Sequence, residues 1–322
     1  MSAKWTEHDI PDLGGRLAIV TGANSGLGLA TARELARAGA EVIMGSRDAG
    51  KGASAAEQIR SAVPDARLEV AQLDLADLSS VRAFAKRVVA ERNSLDLLIN
   101  NAGVMAPPYG KTADGFESQL GTNHLGHFAL TGLLIGALRA QPDPRVVTVS
   151  SAAHRTGRIN FDDLGSERRY NNWMAYSQSK LANLLFAFEL DRRIREAGLA
   201  IRSIAVHPGY SATNLQFAGP AKIHERFVMA IANRTFAQSA DQGALPSLYA
   251  ATAPNVPGGS FVGPDGWLEI RGHPKIVKAA GAAYDEKVAA HLWEVSEGLT
   301  GVHFAVGRLR PESHRAPSGR TH

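Results

Sequence analysis

The chain has 322 residues, 44% of them hydrophobic and 20% charged, which is ordinary for a globular protein of one large domain or two small ones. The absence of cysteine excludes disulfides, thiolate metal sites and a cysteine nucleophile. Of the net charge of +4, a net +3 lies in residues 307–322, where four arginines accompany one glutamate, so the rest is nearly neutral and no nucleic-acid-binding face is expected on it.

Residues 1–14 carry three acids and lack the apolar segment of a signal peptide, so we predict an N-terminal extension. Strand-like and helix-like segments alternate from residue 15 to residue 306. In chain order we predict a strand at Arg16–Thr21, a helix at Leu27–Ala38, a strand at Glu41–Met44, a helix at Gly52–Ala62, a strand at Leu68–Leu73, a helix at Leu78–Ala90, a strand at Leu95–Ile99, a helix at Gly115–Ala140, a strand at Arg145–Val149, a helix at Trp173–Ala197, a strand at Ile201–Val206, a helix at Ala240–Ala253, a strand at Ser260–Val262 and a helix at Tyr284–Gly298. Residues 307–322 are basic and contain proline, serine and glycine, which predicts a disordered tail.

Continuous apolar strands that alternate with helices are typical of a parallel sheet covered on both faces. Residues 15–306 form one unbroken series with no internal repeat and no linker. We therefore predict the α/β class, with a single-domain doubly wound parallel sheet (Rossmann fold) and helices on both faces. The longest apolar run, Phe128–Leu138, is shorter than the ~20 residues that span a bilayer, so we expect a cytoplasmic protein without a membrane anchor.

A glycine-rich turn lies between the first predicted strand and the first predicted helix. Glycines allow a tight turn and the close approach of a pyrophosphate, and the following helix directs its positive end at the phosphates. The strand before the turn and the helix after it supply the context that this motif requires. We predict that the turn holds a dinucleotide through Gly22, Asn24, Ser25, Gly26, Leu27 and Gly28.

The end of the second predicted strand indicates which dinucleotide binds. An acid there bonds the ribose 2′-hydroxyl of NAD, but here Ser46 takes its place and Arg47 follows. A serine and an always-charged guanidinium suit a 2′-phosphate, with Lys51 adding charge, so we favour NADP(H) over NAD(H). In the alternative, Arg47 is a surface residue and Asp48 binds the hydroxyl of NAD(H).

Together with later motifs, these features resemble the short-chain dehydrogenase/reductase family over Gly14 to Gly298, and most of all its retinol-dehydrogenase-like branch. The matching motifs are Thr21-Gly-x3-Gly-x-Gly28, Asp74, Asn100-Asn101-Ala102-Gly103, Asn123-His124-Leu125-Gly126-His127-Phe128, Ser150-Ser151, Tyr176-x3-Lys180 and Pro208-Gly209. The resemblance implies an oxidoreductase that transfers a hydride between NADP(H) and the carbonyl or alcohol group of an apolar small molecule. It also implies a homodimer or homotetramer, paired through the two long predicted helices.

Tyr176 and Lys180 lie one helical turn apart and therefore share a helix face. A free tyrosine has a pKa of ~10, and a nearby ammonium favours the phenolate. We therefore expect Lys180 to lower the pKa of Tyr176 toward the range in which a proton-transfer group works best. The resemblance assigns proton transfer to Tyr176 and places Lys180 on the nicotinamide ribose as well.

Ser151 and Asn123 complete the predicted catalytic set. Ser151 ends the fifth predicted strand, at the carboxyl edge where ligands bind, and would hold the substrate oxygen. Neighbouring side chains on a strand point in opposite directions, so Ser150 is the alternative, although the family pattern favours Ser151. By resemblance, Asn123 holds a water that links Lys180 to solvent; otherwise it is a buried amide bonded to the backbone.

Two further strand ends contribute to the predicted cofactor site. Asp74 and Leu75 are expected beside the adenine ring, where the Asp74 carboxylate could accept from the exocyclic amine or cap the next helix. Asn101, Ala102 and Gly103 follow the fourth strand. The glycine would let the chain pass close to the cofactor, and the asparagine could join neighbouring strands.

The segment after the sixth predicted strand is expected to lie over the nicotinamide. Pro208 and Gly209 would cover the ring, and Thr213 would bond its carboxamide unless it is an ordinary turn residue. We assign substrate selection to Met105–Tyr109, Tyr210–Phe236 and the 24 residues between Ser151 and Tyr176. The residues that suggest an apolar pocket, although some could pack the loops instead, are Val104, Met105, Phe217, Phe227 and Met229.

Two other functions remain as alternatives. A catalytically silent NADP-binding regulator would share the cofactor motifs, although such proteins typically lose the tyrosine or lysine. A nucleotide-sugar epimerase shares Tyr-x3-Lys but usually spaces its glycines differently and lacks Asn-Asn-Ala-Gly. No metal is expected, because the histidines form no recognisable ligand set, and we predict that His124 and His127 are packed in the core.

Overall fold

The computed structural model describes residues 4–92, 94–138, 140–209 and 239–305. Within them, eight strands form one sheet in the order β3-β2-β1-β4-β5-β6-β7-β8. The strands are β1 (Leu17–Thr21), β2 (Glu41–Ser46), β3 (Arg67–Gln72), β4 (Leu97–Asn100), β5 (Arg145–Val149), β6 (Arg202–Val206), β7 (Phe261–Pro264) and β8 (Pro274–Val277). Strands β1 to β7 are parallel, and β8 runs antiparallel to β7. The predicted Rossmann sheet is confirmed, and β8 is an addition that the sequence pattern did not indicate.

Helices cover both faces of the sheet, as predicted. The helices are α1 (Gly26–Arg37), α2 (Ala49–Ala62), α3 (Leu78–Glu91), α4 (Ser118–Leu120), α5 (Gly126–Leu138), α6 (Asn172–Glu196), α7 (Ala240–Thr252) and α8 (Glu286–Thr300). One apolar core joins α1, α2 and α7 to the sheet, and two others join α3, α5, α6 and α8 to its opposite face and to one another. No helix of the described ranges has the length and apolar character needed to cross a membrane.

The predicted helix at Gly115–Ala140 is shorter than expected and irregular. It begins at Ser118, where the Glu117 carboxylate accepts from the first free backbone N–H groups. A π-helical turn, Gly121–Leu125, separates α4 from α5. Such turns are rare and are found frequently at functional sites.

The strand order reverses between β1 and β4, because β2 and β3 lie on one side of β1 and the later strands on its other side. Ligands of such folds bind at this point, outside the carboxyl ends of the strands. The carboxyl ends of the two strands are joined by hydrogen bonds. Asn101 Nδ2 donates to the Thr21 carbonyl at 2.8 Å, and Thr21 Oγ1 accepts from the N–H groups of Asn101 and Ala102 at 2.9 Å each. Asn101 therefore joins neighbouring strands, as its position predicted.

Helix α8 packs against α5 and α6. Its Trp293 ring packs against Phe128 of α5 and Phe186 of α6, with ring centres 5.1 and 5.9 Å away, and Phe304 joins the same cluster. The resemblance assigned these helices to pairing between copies. A homodimer or homotetramer stays a prediction, and part of the surface of both helices is used for contacts within one chain.

Candidate active site

A cavity of about 580 Å³ opens along the carboxyl edge of the sheet. One end is lined by the segments that follow β1, β2 and β3, and the other by those that follow β4, β5 and β6. The predicted site residues that line it are Gly22, Asn24, Ser25, Gly26, Leu27, Gly28, Arg47, Asp74, Leu75, Asn101, Ala102, Gly103, Ser151, Tyr176, Lys180, Pro208 and Gly209. Ser46 and Asn123 are not in this lining, and Thr213, Phe217, Phe227 and Met229 lie outside the described residues.

The glycine turn after β1 forms the phosphate end of the cavity. Gly22 and Gly26 have φ of 67° and 55°, which side-chain-bearing residues rarely adopt. A Cβ on Gly28 would overlap the Gly22 carbonyl oxygen and Asn101 Nδ2. Ser25 precedes α1 without capping it through its side chain, so the first N–H groups of the helix stay available to an anion. This arrangement fits the pyrophosphate of a dinucleotide.

Ser46 does not act as predicted. Its side chain is 1% exposed and donates to the Asp48 carbonyl at 2.8 Å. It also lies next to Gly52 of α2, where an added Cβ would come within 3.2 Å of the Ser46 Cβ. The hydroxyl therefore lies beneath α2, bonded to backbone, and does not line the cavity.

Arg47, Asp48 and Lys51 form the rim of the cavity beyond β2. Arg47 is exposed and makes no ion pair with the residues that the structure describes. Asp48 caps α2 by accepting from the Lys51 N–H at 3.0 Å, and its carboxylate lies 3.9 Å from Lys51 Nζ. The guanidinium is thus free for a ligand anion, whereas the carboxylate already has two partners within the chain.

Asp74 and Leu75 line the cavity after β3, as predicted. Asp74 accepts from the Ala76 N–H at 2.9 Å. The cap of α3 is Asp77, whose carboxylate accepts from the Ser79 N–H at 2.8 Å. The alternative prediction, that Asp74 caps this helix, is therefore wrong.

Tyr176 and Lys180 project from the buried part of α6. Tyr176 is 8% exposed and Lys180 4% exposed, and Lys180 Nζ lies 5.7 Å from the centre of the Tyr176 ring. Lys180 donates to the Val149 carbonyl at 3.1 Å. Burial lowers the pKa of Lys180 to about 8, because the ammonium loses its solvation.

The pKa of Tyr176 lies above its ordinary value, which corrects the expectation that Lys180 would lower it. Burial disfavours the phenolate, and a hydrogen bond from the Ser151 side chain opposes this effect only in part. In the described structure Tyr176 is therefore a protonated phenol at neutral pH. The spacing of the two residues was sufficient to place them together but gave no measure of their burial.

The two serines after β5 have different environments. Ser150 is 2% exposed, and its hydroxyl donates to the Lys180 carbonyl at 2.7 Å. Ser151 is half-buried, its hydroxyl accepts from the Ala153 N–H at 3.2 Å, and its side chain is the one that counteracts the raised pKa of the Tyr176 phenol. Ser151 is thus the serine whose side chain stands beside the tyrosine.

Asn123 lies in the π turn and is fully buried. Its Oδ1 accepts from the Val104 N–H at 2.8 Å, and its Nδ2 donates to the Val104 carbonyl and to Ser179 Oγ at 3.0 and 2.9 Å. A Cβ on Gly103 would meet Asn123 Oδ1 at 3.0 Å and Lys180 Nζ at 3.6 Å. The amide is thus bonded to backbone, as in the alternative prediction, and lies close to the lysine.

His127 connects Asn123 to the first strand, a link that local sequence patterns did not reveal. Its Nδ1 donates to the Asn123 carbonyl and its Nε2 lies by Thr21 Oγ1, each at 2.9 Å. Burial lowers the pKa of His127 to about 4, so the ring is neutral and Nε2 accepts from the hydroxyl. His124 is equally buried, and the prediction that both histidines pack in the core is confirmed.

The outer part of the cavity is lined by side chains that were only partly predicted. Val104, Met105 and Trp173 are joined there by Leu268, Glu269 and Ile270, which lie between β7 and β8. No sequence pattern marked the last three as functional, because they belong to a short irregular segment. Among the described residues, no group of three histidine, aspartate or glutamate side chains could hold a metal ion.

Comparison with known proteins gives consistent matches. The model of the short chain dehydrogenase family matches residues 16–222. Retinol dehydrogenase 14 of Mus musculus is 44% identical over 300 residues, which cover 89% of this chain and 86% of that protein. Retinol dehydrogenase 12 of Homo sapiens is 42% identical over 299 residues, covering 91% and 88%.

Solved structures with a similar fold include proteins of related sequence. An uncharacterized protein of Mycobacterium paratuberculosis has 50% sequence identity and a TM-score of 0.78, with 94% of this chain and 99% of that chain covered. A protein of Beutenbergia cavernae, provisionally assigned as an NAD(P)-dependent gluconate 5-dehydrogenase, contains NADP at low occupancy. It has 29% identity and a TM-score of 0.59, with 75% of this chain and 91% of that chain covered.

Proposed function

The chain belongs to the short-chain dehydrogenase family and is an oxidoreductase, and from this premise we propose that it transfers a hydride between NADP(H) and the carbonyl or alcohol group of an apolar small molecule. The observation that carries the proposal is the single cavity that runs from the glycine turn to the buried Tyr176, Lys180 and Ser151. A cytoplasmic location is part of the same proposal.

The preference for NADP(H) is supported by the rim beyond β2. Arg47 is exposed, lines the cavity and has no ion pair among the described residues, so it could bind a 2′-phosphate in bidentate fashion. Lys51 adds a second cation nearby. Since Ser46 is turned away, the proposal depends on Arg47, and replacing it should weaken NADPH binding far more than NADH binding.

In the proposed mechanism, bound NADP(H) supplies or accepts the hydride. Ser151 and Tyr176 hold the substrate oxygen, and Tyr176 donates its phenolic proton to that oxygen during reduction and takes it back during oxidation. The raised pKa of Tyr176 keeps the phenol protonated at neutral pH, as a proton donor must be. Lys180, whose pKa is about 8, can release a proton from Nζ to restore the phenol. Asn123 does not touch the substrate in this mechanism and acts as a positioning residue, because its side-chain amide is hydrogen-bonded to the Val104 backbone and to Ser179 Oγ.

An apolar substrate is supported by the outer cavity and by the relatives. Val104, Met105 and Trp173 line the space beyond Tyr176, and the Trp173 ring centre is 6.2 Å from that of Tyr176. The two relatives compared above are both named retinol dehydrogenases, and a retinoid is one member of the apolar class that we propose.

The test is an oxidation screen of NADPH against NADH with aldehydes and ketones. The wild type should turn over with NADPH, and Tyr176→Phe should lose at least ~100-fold in kcat while its NADPH dissociation constant stays within about twofold. The exposed Tyr284 serves as a control, because Tyr284→Phe should leave turnover unchanged. Near-normal turnover by Tyr176→Phe would refute the mechanism, and saturable NADPH binding without any turnover by the wild type would favour a silent regulator.

A further inference from the structure

The loop of residues 266–272, which joins β7 to β8, forms part of the outer wall of the cavity. Backbone bonds extend the β7–β8 pair into this loop, from the Asp265 N–H to the His273 carbonyl and from the Gly266 N–H to the Arg271 carbonyl, at 2.8 and 3.0 Å. At its tip, Leu268 faces the same cavity as Trp173 and Tyr176. The loop is therefore placed to touch a substrate whose carbonyl group lies at Tyr176.

The backbone at the tip of this loop has an unfavourable conformation. Leu268 and Glu269 have φ of 50° and 57°, in the left-handed region that non-glycine residues seldom occupy, and here two such residues are consecutive. The Leu268 side chain is 69% exposed, so its own burial does not hold the conformation. Other contacts must stabilise it.

Glu269 supplies such contacts. Its carboxylate lies 3.0 Å from Arg155 Nη2 and 3.1 Å from His207 Nε2. His207 Nδ1 accepts from the Gly209 N–H at 3.3 Å, so Nε2 carries the ring proton and donates it to the carboxylate. The imidazole is 1% exposed, and burial lowers its pKa to about 4, which keeps this neutral tautomer.

These bonds join the loop to both sides of the reaction centre. Arg155 lies four residues after Ser151, and His207 directly precedes Pro208 and Gly209. Glu269 therefore connects the outer wall to the segment that would hold the substrate oxygen and to the segment that would cover the nicotinamide. Gly263 leaves the space for this contact, because a Cβ there would overlap the His207 ring.

We propose that Glu269 is a positioning residue that holds loop 266–272 as a wall of the substrate pocket, so that Leu268 contacts the apolar part of the substrate beyond its carbonyl carbon. The inference rests on the proposed function and narrows it to elongated apolar carbonyl or alcohol compounds. A short aldehyde reaches Ser151 and Tyr176 without contact to Leu268, whereas a long one extends across the loop. The wall therefore selects for length and leaves the reaction itself unaffected.

The experiment compares n-alkanals from propanal to decanal at saturating NADPH. In the wild type kcat/KM should rise with chain length. Glu269→Ala should lower kcat/KM for decanal about tenfold, through KM, and leave propanal within about twofold. Leu268→Gly should show the same selective loss, and Glu269→Gln, which keeps an acceptor for the His207 N–H, should recover most of it. Glu57→Ala is the matched control, since among the residues that the structure describes Glu57 forms its ion pair with Arg60, on the exposed face of α2.

Amide hydrogen exchange of the free protein gives a readout that does not require activity. Exchange within residues 266–272 should rise in Glu269→Ala and stay near the wild-type rate in Glu269→Gln and Glu57→Ala. Unchanged exchange in Glu269→Ala, or equal losses for propanal and decanal, would overturn the inference. If no aldehyde is turned over by the wild type, the proposed function fails, and the exchange result still decides whether Glu269 holds the loop.

Discussion

At the scale of single residues, the two serines after β5 provide a direct test of the site. Ser151→Ala should lower kcat about 100-fold, because the substrate oxygen loses a hydroxyl donor beside Tyr176, while the free energy of unfolding changes little. Ser150→Ala should instead lower the free energy of unfolding by about 1–2 kcal/mol, because the Lys180 carbonyl loses its donor in a buried position. Steady-state kinetics and urea unfolding of both variants separate the two effects, and a reversed pattern would assign the reaction to Ser150.

The buried ammonium of Lys180 is expected to lower the free energy of unfolding. Its pKa is about 8 in the folded protein against an ordinary value of 10.5, so the charged form is disfavoured by folding. At about 1.36 kcal/mol per pKa unit, the cost at pH 7 is about 3 kcal/mol. Lys180→Met should therefore raise the free energy of unfolding at pH 7, by less than this because the bond to the Val149 carbonyl is lost as well.

The dependence on pH distinguishes this effect from simple repacking. The cost is fully present below pH 8, where Lys180 is charged in both states, and it disappears as the pH rises to 10.5, where the unfolded chain also loses the proton. The increase in the free energy of unfolding that Lys180→Met causes should therefore become smaller between pH 8 and pH 10.5, as measured by urea unfolding. A gain that does not vary with pH would show that the ammonium is better solvated than its 4% exposure indicates.

Sequence motifs located most of the site residues but not their environments. Tyr176, Lys180 and Ser151 were expected in one place, and they line one cavity. The pKa of Tyr176 was expected to fall, because an i, i+4 spacing reports the distance to a lysine and says nothing about burial. Ser46 was expected at the cofactor because its position in the chain is right, although its side chain lies beneath α2.

At the scale of elements, α8 is held against α5 and α6 by Trp293, and this packing can be tested by two substitutions. Trp293→Ala should lower the free energy of unfolding by about 3–5 kcal/mol, because a large buried side chain leaves a cavity. Trp293→Phe should lose only about 1 kcal/mol. The Trp293 Nε1–H has no hydrogen-bond acceptor within the described residues, so removing it offsets part of the lost volume.

Urea unfolding at pH 7 measures both variants. The exposed Trp267 offers a control for the loss of an indole, because Trp267→Phe should leave the free energy of unfolding unchanged. Equal losses in Trp293→Phe and Trp293→Ala would show that the indole nitrogen has a partner, such as an ordered water. That result would contradict the packing argument.

Helix and strand patterns predicted the repeating elements and missed the irregular ones. The apolar run through residues 115–140 predicts one continuous helix, and a π turn leaves no mark in it, because the segment after the turn is buried on most sides and has no polar face that would show a change of register. Strand β8 has four residues, begins with Pro274 and lies at the sheet edge with two exposed positions, so it lacks the apolar run that marks a buried strand. Its absence from the prediction also concealed loop 266–272 and Glu269.

At the scale of the molecule, the sheet brings together residues that are distant in sequence. Thr21 and His127 are 106 residues apart and hydrogen-bonded, and Arg155 and Glu269 are 114 residues apart and paired. The motif order allowed the carboxyl ends of the strands to be placed at one edge, since that follows from a parallel sheet. The hydrogen bonds and ion pairs between those strand ends depend on how side chains pack in three dimensions, and sequence motifs do not reveal that packing.

Buried neutral histidines make the whole molecule sensitive to acid. Burial lowers the pKa to about 3 for His124, about 4 for His127 and about 4 for His207, against 6.5 for a free histidine. At these three rings the unfolded chain therefore binds more protons than the folded protein between pH 6.5 and pH 4, and the difference is largest, at about three protons, near pH 5. Stability is fully present above pH 6.5 and is lost as the pH falls through this window, by up to about 4 kcal/mol per pH unit near pH 5. Urea unfolding at pH 7, 6 and 5 measures the loss.

Substitution of a single histidine shows whether these rings are the source. His124→Gln should reduce the slope of the free energy of unfolding against pH by about one proton, whatever it does to stability at pH 7. The exposed His8 serves as the control, because His8→Gln should leave the slope unchanged. Glu69 and Asp143 stay ionised in this window, since their arginine partners hold their pKa values below the ordinary range. A wild-type slope of less than one proton near pH 5 would mean that the folded protein can protonate these histidines, and the assignment of His127 as a neutral link between Thr21 and Asn123 would then be wrong.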